Sequence, residues 1–198
     1  MKQLSFWLSW ITLAAFTAVF LSQGNFEFIL YAATLTVLIG LVQWSDRHLH
    51  YPPMVKWCFW LWLVMHMCGG FVHIGGGRLY DIVLIPLAGE PFHILRYDQF
   101  VHAFCYFMIG GLLQTIIGWL AMPSSPRGWL ALVTVLAALG IGALNEIIEF
   151  SAVVFFDAGD GVGGYYNNAL DNVFNGLGAL AALAWFVPWR VTVHGGEN

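Results

Sequence analysis

Glu146 and Glu149 stand three residues apart in the stretch Asn145-Glu-Ile-Ile-Glu-Phe150, inside an apolar run from Trp129 to Phe156. Helical spacing of i and i+3 puts both carboxylates on one face. Paired acids of this kind carry out general acid–base work or ligate a metal. They are also expensive to keep. A charged carboxylate at the middle of a membrane costs about 2.5–3.5 kcal/mol on the insertion scale. A chain retains two of them there only where other groups answer them.

Candidates for those groups lie in three other apolar segments. His66 is followed seven residues later by His73. Asp98 and His102 sit at i and i+4, on one helical face. Asp171 and Asn175 repeat that spacing near the C-terminus. Asp98, His102, Glu146, Glu149 and Asp171 make up an oxygen and nitrogen donor set suited to Zn, Mn or Fe. In a catalytic reading, Glu146 or Glu149 is the base and the other a ligand or acid. His102 is then a ligand or proton carrier, with His66, His73, Asn145 and Asn175 in support. Each residue also has a plainer reading. Asp98 and Asp171 suit helix starts, as caps or dipole partners. His66, Asn145, Asn172 and Asn175 suit hydrogen bonding between helices. Arg96 is the fixed cation beside these acids, and four ionised carboxylates close together in low dielectric are not sustainable. The acids must be partly protonated, paired with charged His102 and His73, or gathered around a divalent cation.

The elements that position these residues follow from composition. The chain has 198 residues, of which 60% are hydrophobic and 9% charged, with a mean hydropathy of +0.75. A soluble domain carries about 25% charged residues, so the class is an all-α integral membrane protein. The net charge of −4 and the lack of a basic stripe argue against nucleic acid. Cys58, Cys68 and Cys105 lie in apolar segments without C-x-x-C spacing, which indicates neither a disulfide framework nor a zinc site built on thiolates.

Six apolar segments, each near the ~20 residues a bilayer needs, can be cut out: Leu4–Ser22, Phe26–Trp44, Met54–Ile74, Tyr97–Met122, Trp129–Phe156 and Ala169–Val187. The first is too long for a signal-peptide core and lacks an A-x-A site, so it reads as a retained helix. With both termini cytoplasmic, the inner side holds Lys2, Arg47, Lys56, Arg127 and Arg190 and the outer side Arg78 and Arg96, as the positive-inside rule requires. The ten tryptophans then fall toward the cytoplasmic ends of their segments. Ser45–Pro53 reads as a short cytoplasmic turn. Gly75–Arg96, broken by Pro86 and Pro91, is too short and interrupted to span, and is expected to lie on the outer face or dip into it. Asp157–Asn168 is glycine-rich but lacks the order of a calcium or phosphate loop, and reads as a flexible outer loop. The small residues Gly140, Gly142, Ala143, Gly176, Gly178, Ala179 and Ala182 are expected to let helices five and six approach. This arrangement puts His73, Asp98, His102, Glu146, Glu149, Asp171 and Asn175, from four segments, at one depth in the outer half, within about 10 Å.

The order Asp98-x-x-x-His102, with Phe104 and Tyr106, then Glu146-x-x-Glu149, then Asp171-x-x-x-Asn175-x-x-Gly178, resembles the VanZ-like superfamily. The Tyr97-Asp98 pair, the Glu-Ile-Ile-Glu-Phe stretch and His66-Met-Cys-Gly-Gly are similar to the YjdF-type bacterial inner membrane proteins within it. The resemblance covers roughly His66 to Ala182. It implies a multi-pass bacterial inner membrane protein in which Asp98, His102, Glu146 and Asp171 share one site. Three functions compete. The first is a metal-assisted envelope enzyme acting on a lipid or lipid-linked head group. The second is a non-catalytic protein that binds an envelope ligand or partner. The third is a proton-coupled transporter, against which stand the one-sided placement of the polar groups and the lack of a visible inverted repeat.

Overall fold

The computed structural model describes residues 3–22, 27–90, 92–156 and 164–186. Six α-helices dominate them: α1 (Leu4–Ser22), α2 (Glu27–Leu49), α3 (Pro53–Phe71), α4 (Tyr97–Leu120), α5 (Arg127–Phe156) and α6 (Tyr165–Trp185). Between α3 and α4 lie two small antiparallel strand pairs, β1 (His73–Ile74) with β2 (Gly77–Arg78) and β3 (Val83–Ala88) with β4 (Ile94–Arg96). A 3-10 turn over Leu79–Asp81 separates them. Six helices match the number of apolar segments. Four of them, α1, α3, α4 and α5, are long and apolar enough to cross a membrane. The other two are diluted by polar residues: Asp46, Arg47 and His48 extend the end of α2, and Asn167, Asn168, Asp171, Asn172 and Asn175 fill the first half of α6.

The segment ends differ from the hydropathy cuts for local reasons. α2 runs on to Leu49, so most of the expected 45–53 turn is helical. It stops at His50, whose positive φ of 53° is the left-handed ending of a helix. Tyr51-Pro52 turns the chain, and Pro53 opens α3, where its missing N–H costs nothing. α3 ends at Phe71 rather than Ile74, because His73 and Ile74 pair with Arg78 and Gly77. The expected outer loop 75–96 is therefore paired strand over much of its length. α6 starts at Tyr165, four residues before the expected start, which brings Asn167 and Asn168 into its first turns. The glycine-rich residues 157–163, Phe26, Lys2 and everything from Val187 on, including Trp189 and Arg190, lie outside the described residues.

The core has two halves joined by α3 and α4. α1 packs on α2 and α3, α4 packs on α6 and α5, and α3 meets α4. In the first half Trp10 Nε1 donates to Gln43 Oε1 (2.9 Å) and Trp60 Nε1 to Thr12 Oγ1 (3.2 Å). Such polar pairs hold helices together where lipid removes the usual hydrophobic drive. At the α2–α3 turn, buried Lys56 donates to both oxygens of Asp46 (3.1 and 2.9 Å), and Asp46 Oδ1 also accepts the Tyr51 N–H (2.8 Å).

The second half is ruled by close approach. A Cβ at Gly178 would collide with the backbone carbonyl of Ala103, and one at Gly110 with the Cβ of Ala182. Gln114 Nε2 donates to the Ala182 carbonyl across the same seam at 2.9 Å. The tightest small-residue contact thus joins α4 to α6, whereas the sequence pattern suggested α5 to α6. Gly142 does serve α5 and α6, because a Cβ there would meet Asn175 Nδ2 at 2.8 Å. Gly140 faces nothing within 4 Å.

Two expectations follow for thermal unfolding of the full chain. Gly178→Ala forces the α4–α6 backbones apart and costs about 1–3 kcal/mol or more, while Gly140→Ala is neutral. Asp46→Asn strands the buried Lys56 ammonium and costs about 3 kcal/mol or more. Lys56→Met costs less, because Asp46 still accepts from Tyr51.

Candidate functional site

The site is built on the first turns of α4. Arg96 is the N-cap, and Gln99 three residues on accepts the N–H of Leu95 (2.6 Å) and of Arg96 (3.1 Å) through Oε1. Leu95 has a φ of 71°, a conformation that a branched side chain resists. Gln99, almost wholly buried, holds its amide in place. This junction fixes where Asp98 emerges. One turn later His102 points back at it, with Nε2 3.8 Å from Asp98 Oδ1.

α6 supplies the opposite wall. Asn175, fully buried, places Oδ1 3.0 Å from His102 Nδ1. An amide oxygen only accepts, so Nδ1 donates its hydrogen to it, and Nε2 is the ring nitrogen on the side of Asp98. Asn167 Nδ2 bridges Asp98 Oδ2 (3.2 Å) and Asp171 Oδ2 (2.6 Å). Asp171 is only 2% exposed, and its Oδ1 has no hydrogen-bond partner. One ligand atom each from Asp98, His102 and Asp171 lies within 4.8 Å of the other two. Two donors on a tetrahedral zinc stand about 3.3–3.6 Å apart, given bonds of about 2.0–2.2 Å. The 3.8 Å between His102 Nε2 and Asp98 Oδ1 is too long for a hydrogen bond and close to that ligand spacing. The orphaned oxygen and the oxygen and nitrogen donor set suit a divalent cation, and the trio, within 4.8 Å of one another, would draw closer to reach ligand spacing.

α5 brings the glutamates to the same region. Both oxygens of Glu146 are buried without a hydrogen-bond partner, and the side chain feels the charges of His102 and Asp98. Glu149 accepts from Asn145 Nδ2 at 2.7 Å. It interacts electrostatically with Glu146, His102 and Asp171, and Asp171 with Arg96. The five acid and histidine residues singled out from the sequence therefore share one field, but only Asp98, His102 and Asp171 come within ligand distance of one another. Glu146 and Glu149 form a neighbouring wall.

The supporting residues divide. Asn175 orients His102, and Asn145 holds Glu149. His66 lies in a layer beside the site. It stacks on Trp62 (ring centroids 5.4 Å apart), so this tryptophan belongs to the core instead of the membrane rim. Tyr80 donates its hydroxyl hydrogen to the His66 carbonyl (2.6 Å), so His66 Nδ1, 2.7 Å away, donates to the Tyr80 oxygen. Burial, reinforced by the charge of Asp98, pushes the Tyr80 phenol well above its usual range and keeps it protonated. The Tyr80 ring lies against Gly69, where a Cβ would overlap it. His73 does not join the site. Because α3 ends at Phe71, His73 falls in exposed β1 and its Nδ1 contacts the Phe71 carbonyl (3.0 Å).

Three contributors escaped the sequence reading: Gln99, Asn167 and Tyr80. Gln99 could have been found as the third residue of a capping pattern, but an arginine at the N-cap hid the signal. Asn167 lay in an apparent loop until α6 was seen to begin at Tyr165. Nothing in the sequence links Tyr80 to His66.

These features define a helical, multi-pass membrane protein with a polar cluster inside its bundle. Residues 4–192 match the family described as "Predicted membrane protein (DUF2238)", and the chain belongs to that family. No curated protein and no solved structure matches it.

Removing the Asn167 bridge tests the clasp directly. Asn167→Ala should lower stability by about 1.5–3 kcal/mol, the loss of hydrogen bonds to charged groups. Asn167→Asp should lower it further by adding a carboxylate between two others. Thermal unfolding in one detergent reads both.

Proposed function

We propose that this chain is a bacterial inner membrane protein with both termini in the cytoplasm and a divalent-cation site in the outer half of the bilayer. Asp98, His102 and Asp171 hold the ion, which is Zn, Mn or Fe by the chemistry of its ligands. The observation that supports this reading is that Asp98, His102 and Asp171 each bring a donor atom within 4.8 Å of the others, while Asp171 Oδ1 has no hydrogen-bond partner and Asn175 orients the His102 ring. The sequence motifs that carry the likeness to YjdF-type members of the VanZ-like superfamily run through the same residues and support the same placement.

A bound cation would supply Lewis-acid chemistry. The chain's own residues do the rest. Glu146, whose two oxygens are buried without a hydrogen-bond partner, is the base in this reading, and Glu149, held by Asn145, the acid or a further ligand. Asn175 orients His102. Arg96 adds a positive charge at the edge. The substrate is a lipid or lipid-linked envelope head group, since the site stands inside the bilayer near the outer ends of its helices.

The Asn167 bridge also favours a second reading, in which the acids form a structural clasp and the protein binds an envelope ligand or partner without catalysis. Metal analysis separates the two. Chelator-treated full-length protein should gain thermal stability when Zn, Mn or Fe(II) is returned. A concentration of 100 times Kd corresponds to about 2.7 kcal/mol. His102→Ala and Asp171→Asn should lose that gain, and Glu146→Gln should keep most of it. Wild-type protein that responds to none of the three ions rules out the cation site and leaves the clasp.

A further inference from the structure

The strands that lead into α4 carry a surface the site does not use. From Ile82 to Gly89 the chain reads Ile-Val-Leu-Ile-Pro-Leu-Ala-Gly, without a charge or a polar side chain. A strand pair with one face in water alternates polar and apolar residues. β3 does not: Val83, Leu84, Ile85 and Leu87 are all exposed, on both faces, with Ile85 at 54% and Leu87 at 67%. Past the turn, exposed Phe92 meets Tyr166 edge-on, 5.2 Å between ring centroids. Exposed Tyr165 and Tyr166 open α6 beside it. Among the described residues, polar side chains flank this stretch, as the Arg78–Asp81 pair before β3, Glu90 and His93 around the turn, and Arg96 at the end of β4.

The attachment fixes where this surface lies. β4 passes into α4 without a linker, and the Tyr97 N–H bonds the Ile82 carbonyl at 2.8 Å. The hairpin is thus held at the end of a helix apolar enough to cross the membrane. Its apolar surface is continuous with that helix through exposed Phe100. Pairing of β3 with β4 satisfies one edge of each strand, and among the described residues no further strand pairs the other edge. An open edge is not tolerated in the hydrocarbon centre, but it is tolerated at the wet boundary of the bilayer. Aromatic side chains such as Phe92, Tyr165 and Tyr166 suit that same level.

We propose that the β3–β4 hairpin is seated in the lipid bilayer at the level of the head groups, with Leu84, Ile85, Leu87 and Phe92 reaching the acyl chains. Its partner is the phospholipid surface itself. The reading above supplies only the side of the membrane; lipid contact does not depend on the cation site or on any reaction.

Thiol reactivity tests it in the full chain. Leu87→Cys, Leu136→Cys and His73→Cys are each made with the native cysteines kept, reconstituted into phosphatidylethanolamine/phosphatidylglycerol nanodiscs that leave both faces open, and treated with a charged, water-soluble maleimide. Leu136 is exposed on α5, the tenth residue of a spanning helix of 30, and His73 is exposed in β1. Apolar surroundings suppress the thiolate, so Leu87→Cys should react at least about tenfold more slowly than His73→Cys and near the rate of Leu136→Cys. Reaction at the His73→Cys rate overturns the proposal. Protection seen only in discs loaded with two copies assigns the surface to a second chain and overturns it as well. Ile85→Cys repeats the measurement if Leu87→Cys does not fold. A nitroxide on Leu87→Cys should be more accessible to oxygen than to a nickel chelate, and one on His73→Cys the reverse.

Discussion

Everything in the polar half of this protein depends on how near α4 and α6 can come. Gly178 lies on the Ala103 carbonyl with no room for a methyl group, and Gly110 meets Ala182 one seam further along. That approach lets the short Asn175 side chain reach His102 and lets Asn167 span Asp98 and Asp171. Lipid offers helices little hydrophobic reason to associate, so close van der Waals contact and hydrogen bonds between helices must hold the pair. The same residues that make the contact tight make the cluster possible.

The cluster also shows how a membrane protein tolerates acids. No single partner neutralises the four carboxylates. Asn167 donates to two of them, Asn145 to a third, and His102 and Arg96 contribute to the local field. Asp171 Oδ1 and both oxygens of Glu146 remain without a donor. A buried carboxylate oxygen left this way is costly, and the cost falls on Glu146 of α5 and Asp171 of α6. At the α2–α3 turn, by contrast, buried Lys56 is met by both oxygens of Asp46.

Much of this was legible in the residues. Hydropathy gave six segments, and the six helices follow them closely because a bilayer leaves few alternatives. Helical spacing singled out Asp98 with His102 and Asp171 with Asn175, pairs whose members prove to share one cluster. What was not legible lies where local chemistry overrides hydropathy. A β1–β2 pairing ends α3 early and removes His73. A polar first turn starts α6 early and adds Asn167. Gln99 supports a positive φ at Leu95 that no residue pattern announces, since a leucine is a poor choice for it. Depth along a helix can be read from spacing. Rotation about its axis, which separates the ligand-distance trio from the Glu146 wall, cannot be read from one sequence.

The packing of α5 divides the cluster into parts of unequal rigidity. α4 and α6 are locked by backbone contact, so Asp98, His102 and Asp171 form a stiff unit. Glu146 rides on a helix whose neighbouring side chains Leu144, Ile147, Phe150 and Val154 face outward. It packs on α4 and α6 through side chains, with Gly142 against Asn175. The trio is thus positioned by backbone contact and the Glu146 carboxylate by side-chain packing. A change of side-chain volume along the α5 seam would move that carboxylate while leaving the three donors in place.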